Sequence, residues 1–298
     1  MKEKILELSD LFFDEIVSIR RYMHMHPELS FQEFETSNYI KSILKSWGIN
    51  FLDGYANTGI LVNLEGKEPS SRVIALRADF DALPILEEND VEYKSKNQGI
   101  IHACGHDAHT ASMLGALKIL HQTKDHWRGT IKFIFQPAEE RLPGGAKQMI
   151  EEGVLENPNV QHVIAQHVLP ELEVGKVGFR CGTYMASTDE LYISISGKGG
   201  HAAIPSSYNN PIIASSELVL DLNQFFNDKA DAIFAIGYID GKGSTNIIPN
   251  EVNLMGTFRA LDESFRLESH NHMNRIVDQV AKKYNIKNTP KLYQIGNF

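Results

Sequence analysis

The chain is short of cysteine, of basic charge and of long apolar runs. Its two cysteines, Cys104 and Cys181, stand far apart, which excludes a disulfide framework and fits a reducing compartment. Lys and Arg number 29 against 38 Asp and Glu, a net charge of −9, so a basic face for nucleic acid is not expected. An anionic small substrate stays open, because local charges can oppose the net field. No stretch reaches the ~20 apolar residues that span a bilayer. The N-terminal MKEKILELSDLFFDEIVSIR has acids throughout and apolar residues at helical spacing (Ile5, Leu8, Phe12, Ile16, Ile19), unlike the apolar core of a signal peptide. Repeats and low-complexity segments are lacking too. These absences predict a soluble cytoplasmic protein with neither a membrane nor a nucleic-acid partner.

What is present reads as two domains, which suits 298 residues. After the first helix, Ser30 with Glu33 reads as a capping box. It predicts a helix with the face Tyr39, Ile40, Ile43, Leu44 and Trp47, ended by Gly48. Apolar runs at 58–64, 72–78, 130–135 and 160–168 read as strands, with helical patterns at 107–122 and 144–153. Strands interleaved with helices predict an α/β sheet covered on both faces. After about residue 183 the pattern changes. Strands at 187–199, 231–240 and 250–260, helices at 209–227 and 262–284, and a last strand at TPKLYQIG give the order β-α-β-β-α-β of a ferredoxin-like unit. The expected domains are therefore 1–183 and 184–298.

IHACGHDAHTASMLGAL (101–117) crowds a cysteine, three histidines and an aspartate onto one turn ahead of a helix. Three other candidate segments follow predicted strands: RADFDALP after VIAL, QPAEE after TIKFIF, and QHV after HVIA. Ligands gather beyond the carboxyl ends of strands in an open α/β sheet. Asp79, Asp81, Glu139, Glu140 and His167 are thus expected to converge, with the ACGHDAH loop facing the same crevice. Cys104, His106, Glu140 and His167 are credible ligands for zinc or a similar ion. Glu139, beside Glu140, can stay free to take a proton from an activated water, which suits amide hydrolysis. Taken singly these residues have ordinary readings: a buried thiol, a solvated acid pair, a core histidine. His24 and His26, ahead of Pro27, read as turn residues. A thiolate nucleophile, Cys104 with His106 or His109 at a helix N-terminus, is the rival. It leaves the glutamate pair without a task.

HPELSFQEFET, ALRADFDALPI, HACGHDAHTASMLGA, FQPAEERLPGGAKQMIEEG, GKGGHAAIP and STNIIPNEVNLMGTFRA occur in this order over about residues 20–260. Together they resemble the M20 metallopeptidase family, most closely its amidohydrolase branch of aminoacylases, hippurate hydrolases and auxin-conjugate hydrolases. The resemblance implies a zinc-peptidase-like α/β/α catalytic domain and a ferredoxin-like α+β lid that often dimerises, hence a homo-oligomer. It implies two divalent metal ions (Zn, or Mn, Co or Ni), with Cys104, His106, Glu140 and His167 as ligands and Glu139 as general base. In the lid it assigns His201 to polarising the scissile carbonyl, and Asn246 and Arg259 to holding the substrate carboxylate. The implied substrate is an N-acyl amino acid or short peptide. Family members continue past the lid with a return segment and one further histidine ligand, whereas this sequence stops at KLYQIGNF. His270 and His272 fall in the predicted lid helix instead. A catalytically inactive homologue that only dimerises or binds ligands is therefore the alternative expectation.

Overall fold

The computed structural model describes residues 1–286. It divides into two compact units, Met1–Val177 and Gly178–Phe298. The first contains α1 (Lys2–Met25), α2 (Phe34–Ser46), β1 (Leu52–Tyr55), β2 (Gly59–Glu65), β3 (Val73–Asp79), α3 (His106–Gln122), β4 (Thr130–Gln136), α4 (Gly145–Glu151) and β5 (His162–Ala165). Its sheet runs in the order β1-β2-β4-β3-β5. β2 pairs antiparallel with β4, while β3 pairs parallel with β4 on one side and with β5 on the other.

Side-chain alternation along the strands builds a core on each face of this sheet. Ile60, Val62 and Leu64 of β2 and Ile131, Phe133 and Phe135 of β4 pack with Ile19, Met23, Ile40, Leu44, Leu114 and Leu117 of α1, α2 and α3. Leu61, Ala75 and Ile134 point the other way, against Met149 of α4 and Val154. Each fully buried large apolar side chain contributes about 1.5–3 kcal/mol. The α1–α3 contact is close because Gly115 carries no side chain; a Cβ there would lie 3.3 Å from Ile16 Cγ1.

Two local expectations are corrected. α2 begins at Phe34 with no side-chain cap, so Ser30 and Glu33 form no capping box. Their oxygens are committed elsewhere: Ser30 Oγ donates to Asp81 Oδ2 (2.6 Å), and the Glu33 carboxylate accepts from Ala138 N (2.8 Å) and Thr58 Oγ1 (3.2 Å). His24 is buried inside α1 rather than in a turn, bonded to Asp107 Oδ2 (2.7 Å) and Glu87 Oε1 (3.1 Å).

The second unit contains β6 (Ser187–Ser196), β7 (Gly200–His201), α5 (Pro211–Phe226), β8 (Ala232–Asp240), β9 (Ile247–Ile248), β10 (Glu251–Ala260) and α6 (Glu263–Lys283). β6-β10-β8 form an antiparallel sheet. Leu191, Ile193 and Ile195 of β6 and Val252, Leu254 and Phe258 of β10 bury one face against Leu218 and Leu222 of α5 and Met273 and Val277 of α6. The strand expected at TPKLYQIG lies outside the described residues. Among the described residues no helix is long and apolar enough to cross a membrane.

Candidate metal centre

Three parallel strands and one helix aim their ends at a common crevice. β3 ends at Asp79, with Asp81 just beyond; β4 ends at Gln136, ahead of Glu139 and Glu140; β5 ends at Ala165, ahead of His167. α3 starts at His106 behind Gly105, whose φ of 84° is left-handed and accessible to glycine at little cost. The convergence expected of Asp79, Asp81, Glu139, Glu140 and His167 is therefore found within this unit, as the rule for open α/β sheets requires.

His106 is the hub. Its Nδ1 donates to Asp81, 2.9 Å from the backbone carbonyl and 3.1 Å from Oδ1. That leaves Nε2 facing inward, where it holds a proton or offers its lone pair to an ion. It is buried and has no hydrogen-bond partner among the described residues. Three carboxylates face it: Asp79 Oδ2 at 3.7 Å, Glu140 Oε1 at 3.8 Å and Glu139 Oε2 at 3.9 Å. Cys104 completes the other side, with Sγ 3.3 Å from His167 Nε2. His167 donates from Nδ1 to the Val168 carbonyl (2.8 Å), so its Nε2 also presents a lone pair.

An unpartnered, buried imidazole nitrogen amid acids and a thiol is unfavourable unless a cation joins them. The donor set of thiol, imidazoles and carboxylates fits zinc or a similar divalent ion. Two overlapping groups, Cys104–His106–His167 and His106–Glu139–Glu140, each bring their ligand atoms within 4.8 Å of one another. A third group, Asp79–His106–His109, does the same.

The charges reinforce this. Burial alone would lower the pKa of His106, but the bond to Asp81, the nearby Cys104 thiol and the charges of Asp79 and Asp81 push it up to about 11. A site that holds a proton this tightly favours positive charge in general. Burial would raise Asp79, yet the His109 bond and the Arg77 and His106 charges hold it well below the usual carboxylate range. Glu139 moves the other way, raised by burial first and then by the charge of Glu140. That suits a carboxylate that must accept a proton.

The surrounding shell is specific. Asp81 Oδ2 accepts from Ser30 Oγ (2.6 Å) and Glu140 N (2.9 Å), so one carboxylate orients two candidate ligands. Arg77 spans Asp79 Oδ2 and Gln136 Oε1, both at 2.7 Å. The Pro137–Glu140 loop is set by Ala138, at φ 49°, whose N–H donates to Glu33. Gly145 passes so close beneath that a Cβ there would lie 1.9 Å from the Pro137 carbonyl oxygen. Arg77, Ser30 and Glu33 carried no readable functional signal in the sequence, because nothing local ties them to residues 51 to 105 positions away.

The remaining expected site residues lie in the second unit. His201 is exposed in β7, opposite Ile247 of β9, and its Nδ1 accepts from Ala203 N (3.1 Å). Asn246 is its near neighbour: its carbonyl accepts from Ala202 N (3.0 Å) and its Oδ1 from Ser244 Oγ (3.1 Å). Arg259 is exposed on β10, between Thr188 and Ile233. His270 is bonded within α6's packing, 2.6 Å from Asp189 Oδ2.

Known proteins resemble this chain in sequence and fold. The family model described as peptidase family M20/M25/M40 matches residues 75–294. An N-acyl-L-amino acid amidohydrolase of Geobacillus stearothermophilus is 40% identical over 287 residues, 95% of this chain and 77% of the relative. The IAA-amino acid hydrolase ILR1-like 2 of Arabidopsis thaliana is 42% identical over 87% of this chain, which spans 60% of that plant protein. The solved structure of the Bacillus subtilis YXEP protein, described as a dinuclear metal binding peptidase from the M20 family, superposes with a TM-score of 0.79 at 36% identity. The match covers 96% of this chain and 74% of that one.

Proposed function

This chain belongs to peptidase family M20/M25/M40, and on that premise we propose that it hydrolyses the amide bond of N-acyl amino acids or short peptides by a metal-dependent route. The observation that carries the proposal is the buried, unpartnered Nε2 of His106, facing three carboxylates at the ends of parallel strands. The amidohydrolase named among the relatives and the dinuclear peptidase among the solved structures support it.

Cys104, His106, Glu140 and His167 would hold two divalent ions, zinc first, with manganese, cobalt or nickel as alternatives. When bound, such ions polarise the substrate carbonyl and make water acidic enough to act as a nucleophile near neutral pH. Glu139 accepts the proton of the attacking water at a carboxylate oxygen and returns it to the leaving nitrogen. Its raised proton affinity matches that task. Asp81 keeps the His106 ring oriented with its lone pair inward. In the second unit, Arg259 and Asn246 would hold the substrate carboxylate, for which a guanidinium fork is suited. His201 would donate to the carbonyl oxygen as charge develops there.

The cysteines are both unpaired, which suits the cytoplasm. β8 lies at one edge of the described sheet and exposes Ile233, Tyr238 and Ile239, a surface suited to self-association of the second unit.

The decisive test uses purified protein supplied with zinc and a panel of N-acetyl amino acids. Wild type is expected to hydrolyse at least one, and chelator to stop it. Glu139→Ala should lose turnover by on the order of 10²–10⁴-fold while its metal content stays at the wild-type level. Retained hydrolysis in that variant removes Glu139 as the base. Activity that survives chelators but falls to thiol alkylation overturns the metal route in favour of a Cys104 nucleophile.

A further inference from the structure

The third donor group, Asp79–His106–His109, invites a reading of His109 as another metal ligand. Its bonds argue otherwise. His109 is fully buried, and both ring nitrogens are engaged. Nδ1 lies 2.7 Å from Asp79 Oδ1, an acceptor, so this nitrogen carries the proton. Nε2 lies 2.9 Å from Val168 N, which can only donate, so this nitrogen supplies its lone pair to the backbone. No lone pair is left for an ion.

The Val168 end of this bridge matters because of its neighbour. His167 lies beyond the end of β5, in an exposed segment without strand pairing. Something must hold that segment for His167 Nε2 to stay 3.3 Å from Cys104 Sγ. Two contacts do so. The Val168 amide is bound by His109, and the Val168 side chain rests on Gly105, where a Cβ would come within 2.4 Å of Val168 Cγ2. Both contacts reach the CGHDAH turn, which also carries Cys104 and His106.

We propose that His109 is a positioning residue rather than a ligand: as the Nδ1-protonated tautomer, anchored on Asp79, it accepts the Val168 amide and so seats His167 against Cys104. The inference rests on the reading of Cys104 and His167 as metal ligands. Asp79 in turn is fixed by Arg77, so the chain of contacts starts on rigid β3 and ends on the segment after β5.

The side-chain amides of glutamine and asparagine separate the two bonds. Glutamine reaches the Nε2 position and can still accept from Val168. Asparagine reaches only the Nδ1 position. Three readouts on the full chain test the idea. First, the ring nitrogen shifts of His109 in metal-free wild type should show the proton on Nδ1; a proton on Nε2 overturns the proposal with no variant needed. Second, hydrogen exchange at the Val168 amide of the metal-free protein should stay at the wild-type rate in His109→Gln. It should quicken on the order of five- to tenfold in His109→Asn. Third, cobalt(II) titration followed through the thiolate-to-cobalt absorption of Cys104 should show wild-type affinity in His109→Gln. In His109→Asn it should fall about 10–100-fold. Equal cobalt affinity in all three proteins overturns the positioning role. Equal loss in both variants with Val168 exchange unchanged does the same. A wild type that shows no such absorption overturns the metal reading of the site instead, and the exchange rates then still decide whether His109 holds the segment.

Discussion

Replacing Asp81 with asparagine probes the link between fold and site most directly. The carboxylate takes three hydrogen bonds: His106 Nδ1 at Oδ1 (3.1 Å), and Ser30 Oγ (2.6 Å) and Glu140 N (2.9 Å) at Oδ2. An asparagine offers one acceptor and one donor group. The Ser30 hydroxyl can turn to suit either, but the N–H groups of His106 and Glu140 cannot. One of them must face the new amide NH₂. If the NH₂ faces Glu140, a backbone donor is stranded, at a cost of about 1–3 kcal/mol. If it faces His106, that ring still has the Asp81 carbonyl at 2.9 Å but loses the anion that strengthens its lone pair. At 1.4 kcal/mol per tenfold, the expected loss of zinc affinity is about 10–100-fold, nearer the lower figure because His106 keeps one acceptor. Competition with a chromophoric chelator measures the affinity. Urea unfolding in excess chelator measures the metal-free stability, expected to drop by about 1–3 kcal/mol. An Asp81→Asn protein that loses stability but binds zinc within about threefold of wild type would refute the reasoning, because outer-shell orientation is worth more than that.

Gly145→Ala places a Cβ against the Pro137 carbonyl and must displace the loop carrying Glu139 and Glu140. It should cost about 1–3 kcal/mol or more and cut hydrolysis more than it cuts folding yield, read by kcat at matched folded protein. His24 has its pKa raised by the Asp107 bond, against burial and with help from Glu87. A raised folded value means its stabilisation is fully present below the unfolded value near 6.5 and fades as pH rises through the higher folded one. The stability gap between wild type and His24→Gln, from urea melts across pH, should therefore shrink above neutrality; a gap that widens there refutes the assignment. In the second unit, Asp189→Ala removes the buried carboxylate that joins Arg266 Nη1 (2.5 Å) and His270 Nε2 (2.6 Å). It should lower stability by about 3–5 kcal/mol in denaturant unfolding, and a loss under about 1 kcal/mol would place the pair among weak surface bridges.

Apolar runs bounded by turn signals revealed β2, β3 and β4 to within a residue or two, because these strands are largely buried on both faces and so read as near-continuous apolar stretches. The helix from 107 to 122 was equally plain, since Ala111, Leu114 and Leu117 repeat along its buried face. β1 was not legible: Leu52–Tyr55 is four residues long, mostly exposed, and pairs on one side only. The Ser30–Glu33 capping box failed for a different reason. The spacing is right for a cap, but tertiary partners outbid the local one: Asp81 for Ser30, and Ala138 with Thr58 for Glu33.

That failure shows where the site's information lies. The candidate ligands could be read because strand ends predict convergence and because cysteine, histidine and glutamate advertise their chemistry. Their supports could not, because a serine, an arginine or a second histidine acquires its task only from the atom it faces. His106 and His109 stand on the same helix three residues apart, both buried, both touching Asp79. The Nε2 of His106 has no hydrogen-bond partner among the described residues, whereas the Nε2 of His109 accepts from a backbone amide. In the proposed assignment, the difference between a ligand and the residue that seats another ligand is a single N–H group at Val168. No spacing rule carries that group, whereas one look at which nitrogen faces a donor does. In a crevice like this one, counting the histidines overstates the proposed ligand set, because His109 has already committed both ring nitrogens.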